Sequence, residues 1–330
     1  MSPSPLLEIN NLHVHFKVYG GVLKVLDGVK FKVDPGEKVG LVGETGCGKT
    51  TTMKALLRIL PTPPARIPQG QILFKGEDVL KMRSQQLSKL RGRGVSMIFQ
   101  DPTAALNPVF TIGQQIGPVI QHALENGKKL SRADIRQLSA KPLREVGLAD
   151  PERLLDAYPT QLSGGMRQRV CIGMALSTNP ELLIADEPGT SLDVTIQDQV
   201  LRLLHDLVEQ KGTSVILITH TLGIVRQLTD RVYVMYAGAM VEVAPTRKLF
   251  ARPLHPYTQG LMAAVPKLSG GGVAGGIPGR LPQYLDPPQG CRFHPRCPHV
   301  MDICRREKPP YFMAEENHEV ACFLYTPGGQ

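Results

Sequence analysis

The sequence lacks any apolar run close to the roughly 18 residues that a membrane-spanning helix requires. Its first ten residues, MSPSPLLEIN, contain neither the basic segment nor the apolar segment of a secretory signal peptide. It has no internal repeat and no stripe of lysine and arginine with interleaved aromatic residues. These absences argue against membrane-spanning, exported and nucleic-acid-binding proteins. We expect a chain that stays in the cytosol, alone or docked to another component.

The bulk composition is that of an ordinary soluble protein. Hydrophobic residues make up 42% of the 330 positions and charged residues 20%. This length suits one domain of about 250 residues with something smaller beside it. The net charge of +9 is compatible with the anionic inner face of a membrane or with nucleic acid, and equally with a mildly basic solvated surface.

Residues 41–51, LVGETGCGKTT, match the P-loop pattern G-x-x-x-x-G-K-[ST]. Glycine permits the backbone conformations in which successive N–H groups converge on a phosphate, and the dipole of a following helix favours the same anion. We expect Lys49 to reach the β- and γ-phosphates and the Thr50 hydroxyl to ligate Mg²⁺. An apolar strand before the loop and helical spacing after it distinguish it from a chance glycine turn. The predicted nucleotide-binding residues are Gly43, Glu44, Thr45, Gly46, Cys47, Gly48, Lys49, Thr50 and Thr51.

Apolar strands alternate with helical segments along most of the chain. Strands that are apolar throughout and alternate with helices indicate an α/β fold, with a parallel sheet covered on both faces. The predicted strands are 6–16 as an edge strand, 71–80, 95–100, 181–188 and 213–220, with a hairpin at 231–245. The predicted helical segments are an insertion between about 111 and 160, an amphipathic helix at 195–212 and a closing helix at 255–265.

Polar residues stand at the ends of several of these strands, where ligands bind in open α/β sheets. Residues 182–186 form four apolar positions and an acid, the pattern of a Walker B strand. Asp186 is expected to hold Mg²⁺ directly or through water, and Glu187 to orient and polarise the attacking water. His220 and Gln100 follow two other apolar strands. An acidic pair alone is often a helix cap, and the P-loop upstream is what favours the catalytic interpretation.

The string LSGGMRQR at 162–169 resembles the signature of ABC ATPases. The P-loop, Gln100, the Asp186-Glu187 pair, Ser191-Leu192-Asp193 and His220 match the other motifs of that family in order. The resemblance covers residues 6–265 and implies a P-loop NTPase with a RecA-like core, an antiparallel β subdomain and a helical subdomain at about 105–180. Gly189 and Thr221 depart from the usual residues of the family, and neither change removes a catalytic group.

The family mechanism implied by this resemblance is a head-to-tail pair of ATPase domains with ATP sandwiched between them. Ser163, Gly164 and Gly165 would then bind the γ-phosphate of the partner's nucleotide. Gln100 would touch Mg²⁺ or the attacking water, His220 would contact the γ-phosphate, and Asp193 would couple the two sites. Phe16 is the first and Tyr19 the second candidate for stacking on adenine, although a half-buried strand aromatic explains either one equally well.

Longer stretches resemble the ATPase subunits of oligopeptide/dipeptide importers, namely IFQDPTAALNP (98–108), HPYTQGLM (255–262) and GCRFHPRCPHVMDIC (290–304). That family implies an ATP hydrolase on the cytoplasmic face of the membrane that energises uptake of di- and oligopeptides, with relatives that take nickel or other small solutes. Its partners are a second, usually different ATPase chain, two permease subunits and a substrate-binding protein. The resemblance implies no nucleic acid.

Two other classes remain as alternatives. A soluble ABC ATPase of translation or DNA repair usually fuses two ATPase domains or carries a long coiled-coil insertion, and this sequence has neither. A cluster-dependent redox regulator with a vestigial ATPase conflicts with the presence of Glu187 and His220.

Four of the six cysteines lie in the last forty residues. They follow a glycine-rich linker at 267–280, so we expect a nucleotide-binding domain at 1–266 and a small cysteine-rich domain at 267–330. In a reducing cytosol such crowding favours a metal over disulfides, although reduced thiols without a metal are also possible. The spacing contains neither a tight zinc pair nor the bacterial ferredoxin run, which leaves the metal open. The cysteines are Cys291, Cys297, Cys304 and Cys322.

The family resemblance favours a [4Fe-4S] cluster at these four cysteines, with Zn²⁺ as the alternative. His294, His299 and His318 are candidate substitute ligands, and surface histidines are the simpler interpretation.

Overall fold

The computed structural model describes residues 4–123, 130–190, 192–264 and 276–326. Its strands are β1 (Leu7–Val18), β2 (Gly21–Val33), β3 (Lys38–Val42), β4 (Ala65–Phe74), β5 (Glu77–Asp78), β6 (Val95–Ile98), β7 (Leu182–Asp186), β8 (Ser214–Ile218), β9 (Arg231–Tyr236), β10 (Ala239–Pro245), β11 (Phe312–Glu315) and β12 (His318–Val320). Its helices are α1 (Lys49–Leu56), α2 (Ser84–Lys89), α3 (Pro102–Ala105), α4 (Ile112–Ala123), α5 (Arg132–Glu145), α6 (Pro151–Leu154), α7 (Gly164–Leu176), α8 (Val194–Lys211), α9 (Leu222–Leu228), α10 (Thr246–Ala251), α11 (Pro256–Ala263) and α12 (Asp302–Arg306). In these four ranges no helix has both the length and the apolar character needed to span a membrane.

The chain divides into two compact units. The first unit takes in the described residues of 1–34, 38–81 and 218–330, and the second those of 35–37 and 82–217. The P-loop, His220 and the C-terminal cysteines belong to the first unit, and the Walker B acids, Gln100 and the signature belong to the second.

The first unit contains an antiparallel sheet in the order β2-β1-β4-β5. The prediction that β1 is an edge strand is wrong, because β4 pairs along its other side with Leu7 opposite Phe74. Residues of β1 alternate between buried and partly exposed, as on any sheet with one packed face. That alternation is the same for edge and central strands, so the sequence pattern could not separate them.

A second run of strands in the first unit has the neighbour order β11-β12-β10-β9-β3. β3 and β9 are parallel, with Val39 opposite Arg231, and this pairing sets the strand that leads into the P-loop beside β9. The hairpin predicted at 231–245 is confirmed by the antiparallel pairing of β9 and β10.

The second unit contains β8, β7 and β6 in that order, with β6 and β7 parallel. Every residue of β7 and of β8 is buried, as predicted for strands with both faces covered. Helix α8 buries one apolar stripe, begins at the cap Asp193 and ends at Gly212 in the left-handed conformation. The helical segments predicted between 111 and 160 are α4, α5 and α6.

The expectation of a separate cysteine-rich C-terminal domain is not supported. Strand β12 pairs with β10, with Val320 opposite Glu242, so the C-terminal hairpin extends a sheet of the first unit. Phe293 lies in the same apolar cluster as Tyr236 and Tyr257. These pairings join segments that are far apart in the chain. The composition of the linker therefore suggested a separate domain, because a local signal does not reveal which distant segments pair. Residues 267–275 of the predicted linker lie outside the described ranges.

The fully buried carboxylate of Glu242 connects the C-terminal region to the core of the first unit by hydrogen bonds. Glu242 Oε1 lies 2.7 Å from His318 Nε2 and accepts the N–H of Leu254 at 2.8 Å, and Oε2 accepts the N–H of His255 at 2.9 Å. A buried charge is tolerated only when it is hydrogen-bonded in this way. These contacts connect β10, β12 and the start of α11. His318, a candidate metal ligand from the sequence, is instead engaged by Glu242.

His255 caps helix α11 with an unprotonated nitrogen. Its Nδ1 accepts the N–H of Tyr257 at 3.0 Å. Burial lowers the pKa of His255 from 6.5 to about 4, against the opposing influence of Glu242. Protonation would both charge a buried ring and remove the acceptor of the cap.

We therefore expect acid to destabilise the protein through His255. The unfolded state binds the extra proton between the unfolded pKa of 6.5 and the folded pKa of about 4. The free energy of unfolding should fall as the pH drops through this window, by up to roughly 3 kcal/mol. Urea unfolding at several pH values measures the slope. His255→Asn keeps a capping group without the titration, and should lose this part of the pH dependence. Equal slopes for the two proteins would contradict the assignment.

Candidate nucleotide-binding site

The P-loop leaves β3 at Val42 and enters α1 at Lys49. Gly43, Gly46 and Gly48 have φ angles of 152°, 86° and 112°, which side-chain-bearing residues adopt with strain. Space is limited as well, since a Cβ atom on Gly43 would lie 2.1 Å from the carbonyl oxygen of Met235. The glycines of the motif are therefore required by backbone conformation and by the close approach of β9.

The carbonyl groups of the loop have partners of their own. Lys49 Nζ donates to the carbonyls of Gly43 at 2.8 Å and Glu44 at 3.1 Å. The Cys47 carbonyl accepts the N–H of Gly238 at 2.7 Å. An anion-binding nest needs its N–H groups for the anion, so its carbonyls must be satisfied elsewhere. These contacts meet that requirement.

The other predicted P-loop residues differ in exposure. Thr45 and Gly46 are exposed at the tip, whereas Thr50 and Thr51 are half-buried in the first turn of α1. Cys47 is fully buried, and burial raises the pKa of its thiol despite the nearby Lys49 ammonium. Cys47 therefore behaves as a small packing residue of the loop.

The two aromatic candidates for adenine stacking lie at the end of β1. Phe16 is half-buried and pairs with Leu23 on β2 and with Ala65 on β4. Tyr19 is fully exposed in the turn that follows β1. The structural explanation, a half-buried strand aromatic, therefore applies to Phe16 and not to Tyr19.

The second unit brings Gln100 and Glu187 together although 87 positions separate them. Glu187 follows the buried Asp186 and has a φ of 48°, a conformation that costs roughly 1 kcal/mol for a residue other than glycine. Its Oε2 accepts from Gln100 Nε2 at 3.2 Å and from Thr190 Oγ1 at 3.0 Å. Strained residues of this kind are concentrated at functional sites, where the strain aims a side chain.

Thr190 was missed by the sequence analysis. Its backbone N–H donates to the Glu187 carbonyl at 3.2 Å, so a tight turn returns its hydroxyl to the Glu187 carboxylate. The signal available in the sequence was a hydroxyl residue three positions after the acid, beyond a proline and a glycine.

The signature residues stand at the start of helix α7. Ser163 caps that helix by accepting the N–H of Met166, and Ser163 and Gly164 are exposed. A Cβ atom on Gly165 would lie 3.0 Å from Cγ2 of Ile196, so the glycine allows α7 to pack closely on α8. Asp193 caps α8 through the N–H of Ile196 at 3.0 Å. Exposed N–H groups at a helix start form an anion-binding site. Ser191 lies outside the described residues.

His220 is exposed and follows the buried strand β8 after one residue, Thr219.

The four C-terminal cysteines line a single cavity of the first unit, together with His255, His294 and His299. All four are free thiols. Burial, followed by weaker contributions that include repulsion from neighbouring thiolates, raises the pKa of Cys291 to about 11 and that of Cys322 to about 12. Burial likewise raises the pKa of Cys297.

A formed metal site, as expected from the sequence, is not found in the ranges that the structure covers. There, no three histidine, cysteine, aspartate or glutamate side chains are close enough together to hold a metal ion. Buried neutral thiols pack as small apolar groups and have no electrostatic reason to converge. The donor chemistry fits a tetrathiolate site, and the spacing of the donors in this structure does not.

The comparison with protein families agrees with this geometry. A family profile described as "ABC transporter" matches residues 26–190, and one described as "Oligopeptide/dipeptide transporter, C-terminal region" matches residues 241–304. A dimeric ATP-binding cassette solved in a post-hydrolysis state with ADP and phosphate shares the fold at a TM-score of 0.64 and 24% identity, over 73% of this chain and 99% of that chain. The chain belongs to the ABC transporter family, and ATP and Mg²⁺ fit its fold.

Two curated relatives narrow the assignment. The dipeptide transport ATP-binding protein of Bacillus subtilis is 45% identical over 320 residues, covering 97% of this chain and 94% of the relative. The oligopeptide transport ATP-binding protein of the same organism is 43% identical over 324 residues, covering 98% and 89%. Within the ABC transporters, this chain is a transport ATPase of the oligopeptide/dipeptide group.

The close approach of β9 to the P-loop gives a direct test. Gly43→Ala would place a methyl group against the Met235 carbonyl and should abolish nucleotide binding or folding. Gly223→Ala is the matched control, because it lies in α9 with open space around it. That control should keep nucleotide binding and gain up to about 1 kcal/mol of stability. Isothermal titration with ATP and thermal unfolding measure both, and normal binding by Gly43→Ala would refute the steric argument.

Proposed function

We propose that this chain hydrolyses ATP to energise the uptake of di- and oligopeptides across the cytoplasmic membrane. The similarity to peptide-transport ATP-binding proteins over nearly the whole chain carries the proposal. The match of the C-terminal region to an oligopeptide/dipeptide profile supports it, because that match lies largely outside the ATPase motifs. The soluble alternative, an ATPase of translation or DNA repair, has no comparable support.

The proposed roles follow the chemistry of each group. Lys49 holds the β- and γ-phosphates, and Thr50, with Asp186, holds Mg²⁺. Glu187 polarises the attacking water, and its contact with Gln100 supports this by orienting the carboxylate. His220 contacts the γ-phosphate. Phe16 remains the first and Tyr19 the second candidate for adenine stacking.

The signature acts on a partner's nucleotide in this proposal. Ser163, Gly164 and Gly165 are exposed or partly exposed at the start of α7, as binding across a dimer interface requires. Asp193, at the start of α8, couples the two nucleotide sites.

The second ATPase subunit of the proposed assembly is a different, homologous chain. Two permease subunits and a substrate-binding protein complete the assembly, which places this chain peripherally on the cytoplasmic face of the membrane. Residues 1–266 carry the ATPase and 267–330 the family-specific region.

The first test is Glu187→Gln, which removes the base and keeps the shape. We expect ATP affinity within about twofold of the wild type and turnover lowered by at least about a hundredfold. Asp206→Asn, at an exposed carboxylate on α8, is the control and should turn over normally. Sustained hydrolysis by Glu187→Gln would overturn the assignment of the base.

Uptake tests the transported solute. Cells that lack the native gene should regain uptake of labelled di- and tripeptides with the wild-type chain and not with Glu187→Gln. Restored uptake of nickel but not of peptide would instead assign the chain to the relatives in this family that transport nickel. A chain that stays soluble in its native cells without permease subunits would contradict the importer assignment.

We further propose a tetrathiolate site at Cys291, Cys297, Cys304 and Cys322. The cavity that all four cysteines line supports this proposal. Within the described ranges, however, the side chains do not form a set of metal ligands, and this finding does not support it. A [4Fe-4S] cluster is favoured over Zn²⁺ on resemblance alone. When bound, either group would cross-link the C-terminal region, and a cluster would add a one-electron redox couple.

Anaerobic purification followed by metal, sulfide and spectral analysis tests this site. About four irons per chain with broad visible absorption that bleaches on reduction would establish the cluster. Zinc without colour would make the site a structural one. A chain with neither metal would leave four reduced thiols and would overturn the proposal of a tetrathiolate site.

A further inference from the structure

Two side chains of the C-terminal region contact the P-loop, and the phosphate chemistry described above does not use them. The Tyr284 hydroxyl donates to the Gly46 carbonyl at 2.7 Å. Arg296 Nη1 lies 3.0 Å from Glu44 Oε2. We call Tyr284 and Arg296 the P-loop brace. Both residues and the P-loop belong to the first unit.

Backbone carbonyls and an aromatic ring hold the Arg296 guanidinium in place, in addition to its contact with Glu44. Its Nε donates to the Pro278 carbonyl at 2.7 Å, and Nη2 donates to the Ile277 carbonyl at 3.0 Å. The group also lies over the Tyr236 ring, 5.7 Å from the ring centroid. The Arg296 side chain is only 6% exposed. The rigid fork of a guanidinium fixed in this way presents Nη1 to Glu44 at little further entropic cost, and Nη1 also donates to the Tyr236 hydroxyl at 3.4 Å.

The ion pair between Arg296 and Glu44 should affect nucleotide binding, because Glu44 carries a negative charge. Glu44 is a carboxylate inside the loop that receives a polyanion. Arg296 neutralises it, whereas an unpaired carboxylate at this place would repel the phosphates. The Glu44 backbone is anchored too, because its N–H donates to the Tyr257 hydroxyl at 2.8 Å.

Tyr284 acts on the backbone rather than on charge. Gly46 is at the exposed tip of the loop, and a glycine without a Cβ atom restricts its own backbone least. The Tyr284 hydroxyl fixes the Gly46 carbonyl, and the Tyr284 carbonyl in turn accepts the N–H of Lys24 on β2 at 2.8 Å. The tip of the loop is thereby tied to a strand of the core.

We propose that the P-loop brace positions the P-loop, so that nucleotide affinity depends on the C-terminal region. Arg296 and Tyr284 are positioning residues, since they act through Glu44 and Gly46 of the loop. The inference rests on the assignment of nucleotide to the P-loop within the proposed function, and not on the identity of the transported solute.

The test is nucleotide binding by the full chain, measured by isothermal titration with ATP and with ADP. Arg296→Ala should weaken ATP binding by about tenfold and ADP binding by less, because ATP carries more negative charge. Tyr284→Phe removes one hydrogen bond and should weaken both nucleotides by about fivefold. Lys308→Ala is the matched control: Lys308 is a C-terminal cation paired with Asp27 at 3.0 Å, and its loss should change affinity by less than about twofold.

Glu44→Gln separates positioning of the loop from general support of the fold. Removing the carboxylate should make Arg296 largely dispensable, so Glu44→Gln/Arg296→Ala should bind ATP within about twofold of Glu44→Gln alone. A structural role for Arg296 would leave the double variant as weak as Arg296→Ala.

Unchanged affinity in both Arg296→Ala and Tyr284→Phe, or an equal loss in Lys308→Ala, would overturn the proposal. If Arg296→Ala does not fold, the nucleotide affinity of Tyr284→Phe alone decides the proposal. Thermal unfolding then confirms that the Tyr284→Phe protein is folded. A failure of the proposed function looks different, because the wild-type chain would then show brace-dependent nucleotide binding without peptide uptake.

Discussion

A loop that points its N–H groups at a phosphate must satisfy its carbonyl groups on the opposite side. In this chain the partners come from three places: the Lys49 ammonium within the motif, the Gly238 N–H after β9, and the Tyr284 hydroxyl of the C-terminal region. The same requirement brings β9 so close that Gly43 has no room for a side chain. The neighbouring strand and the C-terminal region thus contact the P-loop although no motif contains them.

Buried polar contacts explain why the C-terminal region cannot be separated from the first unit. Glu242 on β10 is fully buried and is hydrogen-bonded by His318 of β12 and by the N–H groups of Leu254 and His255 just before α11. Removing those partners would leave a buried carboxylate without hydrogen bonds, a costly state. The aromatic rings of Tyr236, Tyr257 and Phe293 pack against one another between the P-loop and the cysteine cavity. The region that follows the ATPase motifs therefore packs into the first unit and lines a cavity there.

The P-loop and the Walker B strand could be recognised in the sequence because each motif is local. A P-loop needs glycines at fixed positions, and a Walker B strand needs apolar residues followed by an acid, so both can be recognised in a short window. The hydrogen bond between Gln100 and Glu187 was not predicted, since 87 positions separate them and the family resemblance gave each residue only its own role near the attacking water. Thr190 was missed because its hydroxyl returns to Glu187 through a turn that no periodicity predicts.

The sequence by itself determined the family, the nucleotide motifs and the alternation of strands and helices, because backbone propensity and ligand chemistry act over a few residues. Only the tertiary structure decided that β1 is central, that the C-terminal hairpin extends a sheet, and that His318 pairs with the buried Glu242. It also revealed Arg296 beside Glu44, a pairing across 252 positions. Strand partners and buried ion pairs depend on which distant segments meet, and that choice is made by the packing of the whole chain.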